Sequence, residues 1–175
     1  RYENNGILTS YKTINNDNPR LNCRLNGLEK FSPIRIIIDK DLRINTNSNV
    51  VNSSNNTKTF IIYNRINNKK IKYLKNKGIK LIYLDVDSNE YFNLKKVFKK
   101  IYNLGVHKLL VECGKDLTMK ILSENFFNEF YLFKSDKKLN NKDKININNI
   151  IKKLDKNYKN KNHVKTFLDK DSLIQ

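Results

Sequence analysis

Residues 107–122, HKLLVECGKDLTMKIL, decide how the rest of the chain is read. Lys108-Leu109-Leu110-Val111 is a short apolar run with the character of a buried strand, and Leu117 to Leu122 places apolar residues at helical spacing. Between them stands Glu112-Cys113-Gly114-Lys115-Asp116. A strand that ends in a carboxylate and a glycine and then opens a helix aims unpaired backbone N–H groups above the sheet, where anions bind. Ligands of open α/β sheets lie at the carboxyl ends of strands, which puts Glu112 beside the same crevice. Taken alone, the stretch reads better as an ordinary strand-to-helix turn, with Gly114 serving geometry and Glu112 solvated.

At 175 residues the chain has the length of one domain with room for a substantial core. No apolar run is long enough to cross a bilayer and no signal-peptide pattern is present, so the reading is of a cytoplasmic protein without a membrane partner. Cys23 and Cys113 are expected as reduced thiols, and His107 and His163 are too far apart to begin a zinc site, so no metal is expected. The net charge of +18 suggests nucleic acid. Yet the chain has no alanine and abounds in Asn, Lys and Ile, the skew of an A+T-rich coding sequence. Drift on solvated faces therefore ranks above a nucleic-acid surface, and a positive field also suits acidic small molecules.

Outward from the opening stretch, strands and helices alternate. Residues 1–5 read as a helix end turned by Gly6, followed by a strand over Gly6–Tyr11. Thr13, Asn15, Asn16, Asp17, Asn18 and Pro19 form a turn cluster, and Leu21–Leu25 alternates as if extended. Pro33–Asp39, PIRIIID, is the strongest strand signal. A polar loop over Asn45–Lys58, a strand over Thr59–Tyr63, a basic helix over Lys69–Lys77 and a strand over Lys80–Val86 follow. Phe92–Leu104 carries Leu94, Val97, Phe98, Ile101 and Leu104 on one helical face and stops at Gly105. After the opening stretch, Glu129–Lys134 returns as a strand. Residues 135–162 form a Lys/Asn-rich surface excursion with one helix around Ile147, Ile150, Ile151 and Leu154, and Val164–Leu168 with Leu173-Ile174 is expected as a last edge strand. The alternation predicts an α/β fold with a largely parallel sheet flanked by helices.

Three blocks carry a resemblance. RYENNGILTSYKTINNDNPRLNCR is similar to R-x-x-x-D-A-I-L-x-G-x-x-T-x-x-x-D-x-P-x-L-x-x-R, PIRIIIDKD to P-x-R-V-V-L-D-S, and LLVECGKDLTMKIL with NEFYLF to V-E-G-G-x-x-L-x-x-x-L with V-D-E-L. In this order, over roughly the first three-quarters of the chain, they resemble the C-terminal reductase domain of the bifunctional riboflavin biosynthesis deaminase-reductase. The resemblance implies a dihydrofolate-reductase-like mixed sheet, a homodimer, and NADPH-dependent reduction of the ribosyl chain of 5-amino-6-(5-phosphoribosylamino)uracil to ribityl. It implies that Arg1, Leu21, Arg24 and Glu112 contact the phosphorylated pyrimidine substrate. It implies that Thr13, Asp17, Lys40, Gly114, Lys115, Asp116, Leu117, Thr118, Met119 and Lys120 contact the dinucleotide.

These residue types suit that chemistry. Guanidinium groups clamp phosphates through paired donors, a carboxylate accepts hydrogen bonds from ribose hydroxyls, and glycine admits a pyrophosphate to the backbone. Asp17 and Glu112 are assigned orientation, and the general acid is unassigned. The chain departs from the family pattern at Cys113, Lys115 and Lys40, where small residues, Pro or Ala, and Ser are usual. The family's opening strand, K-x-A-x-S-L-D-G, and the zinc deaminase signature are absent from these residues, so a fragment of a longer enzyme, preceded by a deaminase domain, is expected. The competing readings are a non-catalytic module of the same fold and, ranked last, a basic nucleic-acid-binding domain.

Overall fold

The computed structural model describes residues 1–134, 152, 154, 156, 163–164 and 172–174. The chain divides into two compact units, Arg1–Gly114 and Lys115–Gln175. In the first, β1 (Gly6–Ser10), β2 (Ile34–Ile38), β3 (Thr59–Tyr63), β4 (Lys80–Tyr83) and β5 (Leu109–Val111) form a five-stranded sheet in the order β4-β3-β2-β1-β5. Every pairing is parallel, with Leu8 opposite Ile36 on one side and Val111 on the other. β5 has β1 as its only strand partner among the described residues.

The side-chain period of two sorts the core into two layers. Ile7, Ile37 and Ile61 face α1 (Tyr11–Asp17), α2 (Asn49–Asn52) and α3 (Asn68–Asn76), where they meet Ile14, Val50, Val51 and Leu74. Leu8, Ile36 and Ile62 face α4 (Leu94–Asn103) through Val97 and Ile101. Because both faces are covered, the strands read as continuous apolar runs. β3 and the helix stops at Gly78 and Gly105 fall where the sequence puts them, both glycines being at positive φ, 82° and 84°.

Several expectations are corrected. Residues 1–5 form a turn, closed by Asn4 N–H to Arg1 O at 3.1 Å. Gly6 serves close packing instead, because a Cβ there would collide with Val106 Cγ1. The turn cluster at 13–18 is largely helical, as α1. Thr13, Asn15, Asn16 and Asp17 each cost roughly 0.5 kcal/mol in helix propensity. Burial of Ile14, about 2 kcal/mol, and the Ser10 cap, about 1 kcal/mol, offset that. Asn18 then ends the helix at φ 43°. Its Oδ1 accepts from Asn49 N–H at 2.8 Å and its carbonyl from Asn49 Nδ2 at 2.7 Å, pinning α1 to the start of α2. Among the described residues Leu21 to Leu25 pairs with no strand, though Leu21 and Cys23 are buried as alternation requires. α2 lies within the expected loop because Val50 and Val51 are fully buried there.

In the second unit, α5 (Lys115–Ser123) begins directly after Gly114 and buries Ile121 and Leu122. β6 (Leu132–Lys134), β7 (His163–Val164) and β8 (Ser172–Ile174) form an antiparallel sheet in the order β6-β8-β7. The last segment is thus two strands rather than one, with β8 central. Lys152, Leu154 and Lys156 are helical, while Ile147, Ile150 and Ile151 lie outside the described residues. Among the described residues no helix is long and apolar enough to cross a membrane.

Candidate functional site

Parallel strands deliver their carboxyl ends to one edge of a sheet. Here that edge carries Ser10 at the end of β1, Asp39 and Lys40 after β2, and Glu112 after β5. Glu112 is fixed there by its own N–H, which donates to Leu8 O at 3.0 Å. Arg1 closes on it from the other end of the sequence. Arg1 Nε donates to Glu112 Oε1 at 2.8 Å and Nη2 to Oε2 at 2.6 Å, a bidentate pair. The remaining nitrogen, Nη1, donates to Asn22 O at 3.2 Å, tying the pair to the loop that carries Leu21 and Arg24. The hydrogen bonds to Glu112 hold the Arg1 guanidinium above its ordinary pKa, against the opposing effect of partial burial.

The other residues assigned to substrate divide sharply. Arg24 is exposed and makes no hydrogen bond or ion pair among the described residues, so its guanidinium is available. Leu21 is 1% exposed, packs in the core and sits at φ 51°. Its backbone is held in a left-handed conformation that a leucine adopts only when its surroundings impose it.

Of the residues assigned to the dinucleotide, Thr13 lies in the first turn of α1, where Ser10 Oγ accepts its N–H and lies 3.4 Å from its Oγ1. Asp17 is exposed in the last turn of α1, where the helix dipole disfavours a carboxylate. Asn18 does the capping, so Asp17 has no structural duty as a turn cap. The Lys40 ammonium is committed to Glu90 Oε2 at 2.8 Å, and Arg65 shares that carboxylate at 2.9 Å. These two cations, Lys40 foremost, hold the Glu90 carboxyl below its usual range. Gly114 is exposed, and a Cβ built on it would meet nothing within 4 Å. Packing therefore does not require glycine there, and the backbone is open to close approach. Lys115 to Lys120 form the first two turns of α5, with Lys115 and Asp116 exposed and Leu117, Thr118, Met119 and Lys120 half-buried.

Asp39 is buried, and burial raises its pKa even though Arg43 N–H and Ile44 N–H donate to it at 2.7 and 2.8 Å. It organises the turn after β2. Sequence reasoning missed Asn22, which acts through its carbonyl and so leaves no side-chain signature. It also missed Glu90, which reaches Lys40 from a loop 50 positions away. Among the described residues no group of three or more His, Cys, Asp or Glu side chains is placed to hold a metal ion.

Residues 1–137 match the model of the family described as the RibD C-terminal domain. The chain is 32% identical over 133 residues to the riboflavin biosynthesis protein RibD of Aquifex aeolicus, covering 76% of this chain and 35% of that protein. It is 26% identical over 148 residues to the 5-amino-6-(5-phosphoribosylamino)uracil reductase of Buchnera aphidicola, covering 78% of this chain and 68% of that protein. The chain thus matches about a third of the length of its RibD relatives from Aquifex aeolicus and Actinobacillus pleuropneumoniae, 35% in each case. Among solved structures, a pyrimidine reductase-like protein of Corynebacterium diphtheriae superposes with a TM-score of 0.71 at 14% identity, over 99% of this chain and 75% of that one. The deaminase/reductase of Thermotoga maritima gives 0.62 at 16% identity, over 99% and 45%. These two likenesses establish the fold.

Proposed function

The chain belongs to the RibD C-terminal domain family, and from that premise we propose that it is an NADPH-dependent pyrimidine reductase of riboflavin biosynthesis. Its substrate is 5-amino-6-(5-phosphoribosylamino)uracil, whose ribosyl chain it reduces to ribityl. The observation that carries this reading is the Arg1–Glu112 pair at the carboxyl end of β5, with Arg24 unpaired on the loop that Arg1 also holds.

A nicotinamide nucleotide held at Gly114 and Asp17 would supply the hydride that C1′ of the ring-opened ribosylamine needs. Ring opening breaks the C1′–O4′ bond and puts a proton on O4′. Reduction then converts a protonated C1′=N to a secondary amine, so the hydride and one proton account for the product. Glu112, steadied by Arg1, accepts hydrogen bonds from ribose hydroxyls and fixes C1′ against the cofactor, which lowers the barrier through orientation. Arg24 clamps the substrate phosphate through its paired donors. The open backbone at Gly114 fits a pyrophosphate oxygen, and exposed Asp17 fits an acceptor for a cofactor hydroxyl or amide. Thr13 and the residues 115–120 contribute further cofactor contacts.

A deaminase domain and a second copy of the chain are the proposed partners of this reading. The direct test is turnover with the phosphoribosylaminouracil, followed as NADPH oxidation. Glu112→Gln is expected to lower both turnover and substrate affinity, and unchanged values would remove Glu112 from the site.

A further inference from the structure

Arg35 is 2% exposed and has no carboxylate partner among the described residues. It enters β2 on the face shared with Ile37 and reaches α2, where Nη1 donates to Ser53 Oγ at 2.8 Å and approaches Val50 O at 3.5 Å. Nε is buried without a partner, and Nη2 makes no hydrogen bond among the described residues. The unpaired side of this guanidinium is therefore the Nε/Nη2 edge, the one that presents two parallel N–H donors. Arg1 uses the same edge to grip both oxygens of Glu112.

Arg35 lines a cavity of about 320 Å³ between the loop after α1, β2 and α2. The same cavity is lined by Asn22, whose Oδ1 is also buried and unpaired, and by Ser32, Asn49 and Ser53. Exposed Arg20 and Glu29 line it as well, so the lining carries two arginines and one glutamate. A carboxamide can turn to offer Nδ2 in place of Oδ1, which makes Asn22 a third donor direction. Burial alone pushes the Arg35 guanidinium down to about 10, so it carries its charge at neutral pH. A buried charge without a counter-ion is costly, and an oxyanion on the free edge removes that cost.

We propose that this cavity is an oxyanion site, held by the Nε/Nη2 edge of Arg35 with Asn22 and Arg20, which takes inorganic phosphate or the phosphate of a small monoester. It is separate from the phosphate clamp assigned to Arg24 and does not rest on the reductase reading. Its consequence is that the fold is stabilised by phosphate whether or not a nucleotide is bound.

The test is thermal unfolding of the whole chain in phosphate-free buffer, titrated with sodium phosphate or ribose 5-phosphate while sodium chloride holds ionic strength constant. A saturable rise in Tm on the order of 2–4 °C is expected, lost in Arg35→Met, weakened several-fold in apparent affinity in Arg20→Ala, and kept in Arg24→Ala. Tighter binding of the monoester than of free phosphate supports the site and assigns the monoester, and the reverse supports it and assigns phosphate. No rise beyond that in chloride overturns the proposal. So does a rise that survives Arg35→Met, or one lost in Arg24→Ala, which would place the anion in the substrate clamp and leave the reductase reading intact. If Arg35→Met does not fold, an unchanged affinity in Arg20→Ala overturns it.

Discussion

Arg1 and Arg35 set two regions of one sheet against each other. At the carboxyl ends of the strands, the Nε/Nη2 edge of Arg1 is filled by Glu112 and its pKa is raised. Under α2, the same edge of Arg35 is unpaired and burial lowers its pKa to about 10. The first pair is part-buried and preassembled, so under the proposed function a substrate would meet groups already aimed. The second is a charge the fold encloses without neutralising. A buried polar group is thus read by its partners: Arg1 has its counter-charge within the fold, whereas for Arg35 the proposed oxyanion would supply one.

The largest effect is expected where Arg1 and Glu112 act together. Glu112→Gln keeps the volume and one acceptor but loses the bidentate charge pair, and kcat/KM is expected to fall about 10²-fold, the loss that a misplacement of about 1 Å brings. Steady-state kinetics on NADPH oxidation measures it. Next, the two arginines should respond with opposite signs to the same substitution. In phosphate-free urea titrations, Arg35→Met is expected to raise unfolding free energy by about 1–3 kcal/mol, because an uncompensated buried charge is replaced by an apolar chain. Arg1→Met is expected to lower it by about 1 kcal/mol. A loss of stability in Arg35→Met would break the comparison.

Ser53 sharpens it further. Its hydroxyl accepts from Arg35 and donates to Asn49 O at 2.6 Å. Ser53→Ala should cost about 1 kcal/mol in the wild type and distinctly less beside Arg35→Met, a coupling that a double-mutant cycle reads directly.

Much of this fold was legible because local and global preferences agree. β3 and the apolar face of α4 carry period-2 and period-3.6 patterns with glycine stops, and the structure follows them. α1 was hidden because its Asn, Asp and Thr residues favour turns, and the decisive contribution, burial of Ile14 under the sheet, is tertiary. α2 was hidden for the same reason, its two buried valines lying in a run of Asn and Ser. The site was legible as residue types in blocks that resemble a family, but the junction of Arg1 with Glu112, 111 positions apart, was not. Arg35 was passed over within a strand that reads as almost continuously apolar. A strand residue's lack of a counter-charge has no signature in the sequence.

The pH dependence follows from the sign of the Arg35 shift. A base whose folded pKa is depressed binds fewer protons when folded than when unfolded, over the interval that runs upward from about 10 to its ordinary value. Stability contributed by this residue therefore rises with pH through that interval, and the penalty is fully present below it. The stability gap between Arg35→Met and the wild type should accordingly narrow as pH is raised above 10, in paired urea titrations at pH 8 and pH 10.5. The smallest effect belongs to Lys40. Because its ammonium is engaged by exposed Glu90, Lys40→Ala should change the Kd for NADPH by no more than about twofold, as expected of a surface ion pair. Titration calorimetry decides it.

A reductase site at the carboxyl edge of the parallel sheet has to bind a nicotinamide nucleotide. Thermal unfolding of the chain should be titrated with NADPH and, separately, NADH at two salt concentrations. A saturable rise in Tm with NADPH, larger than with NADH, is expected at both salts. No rise with either nucleotide would contradict it, leaving the family fold without the dinucleotide site on which the proposed activity depends.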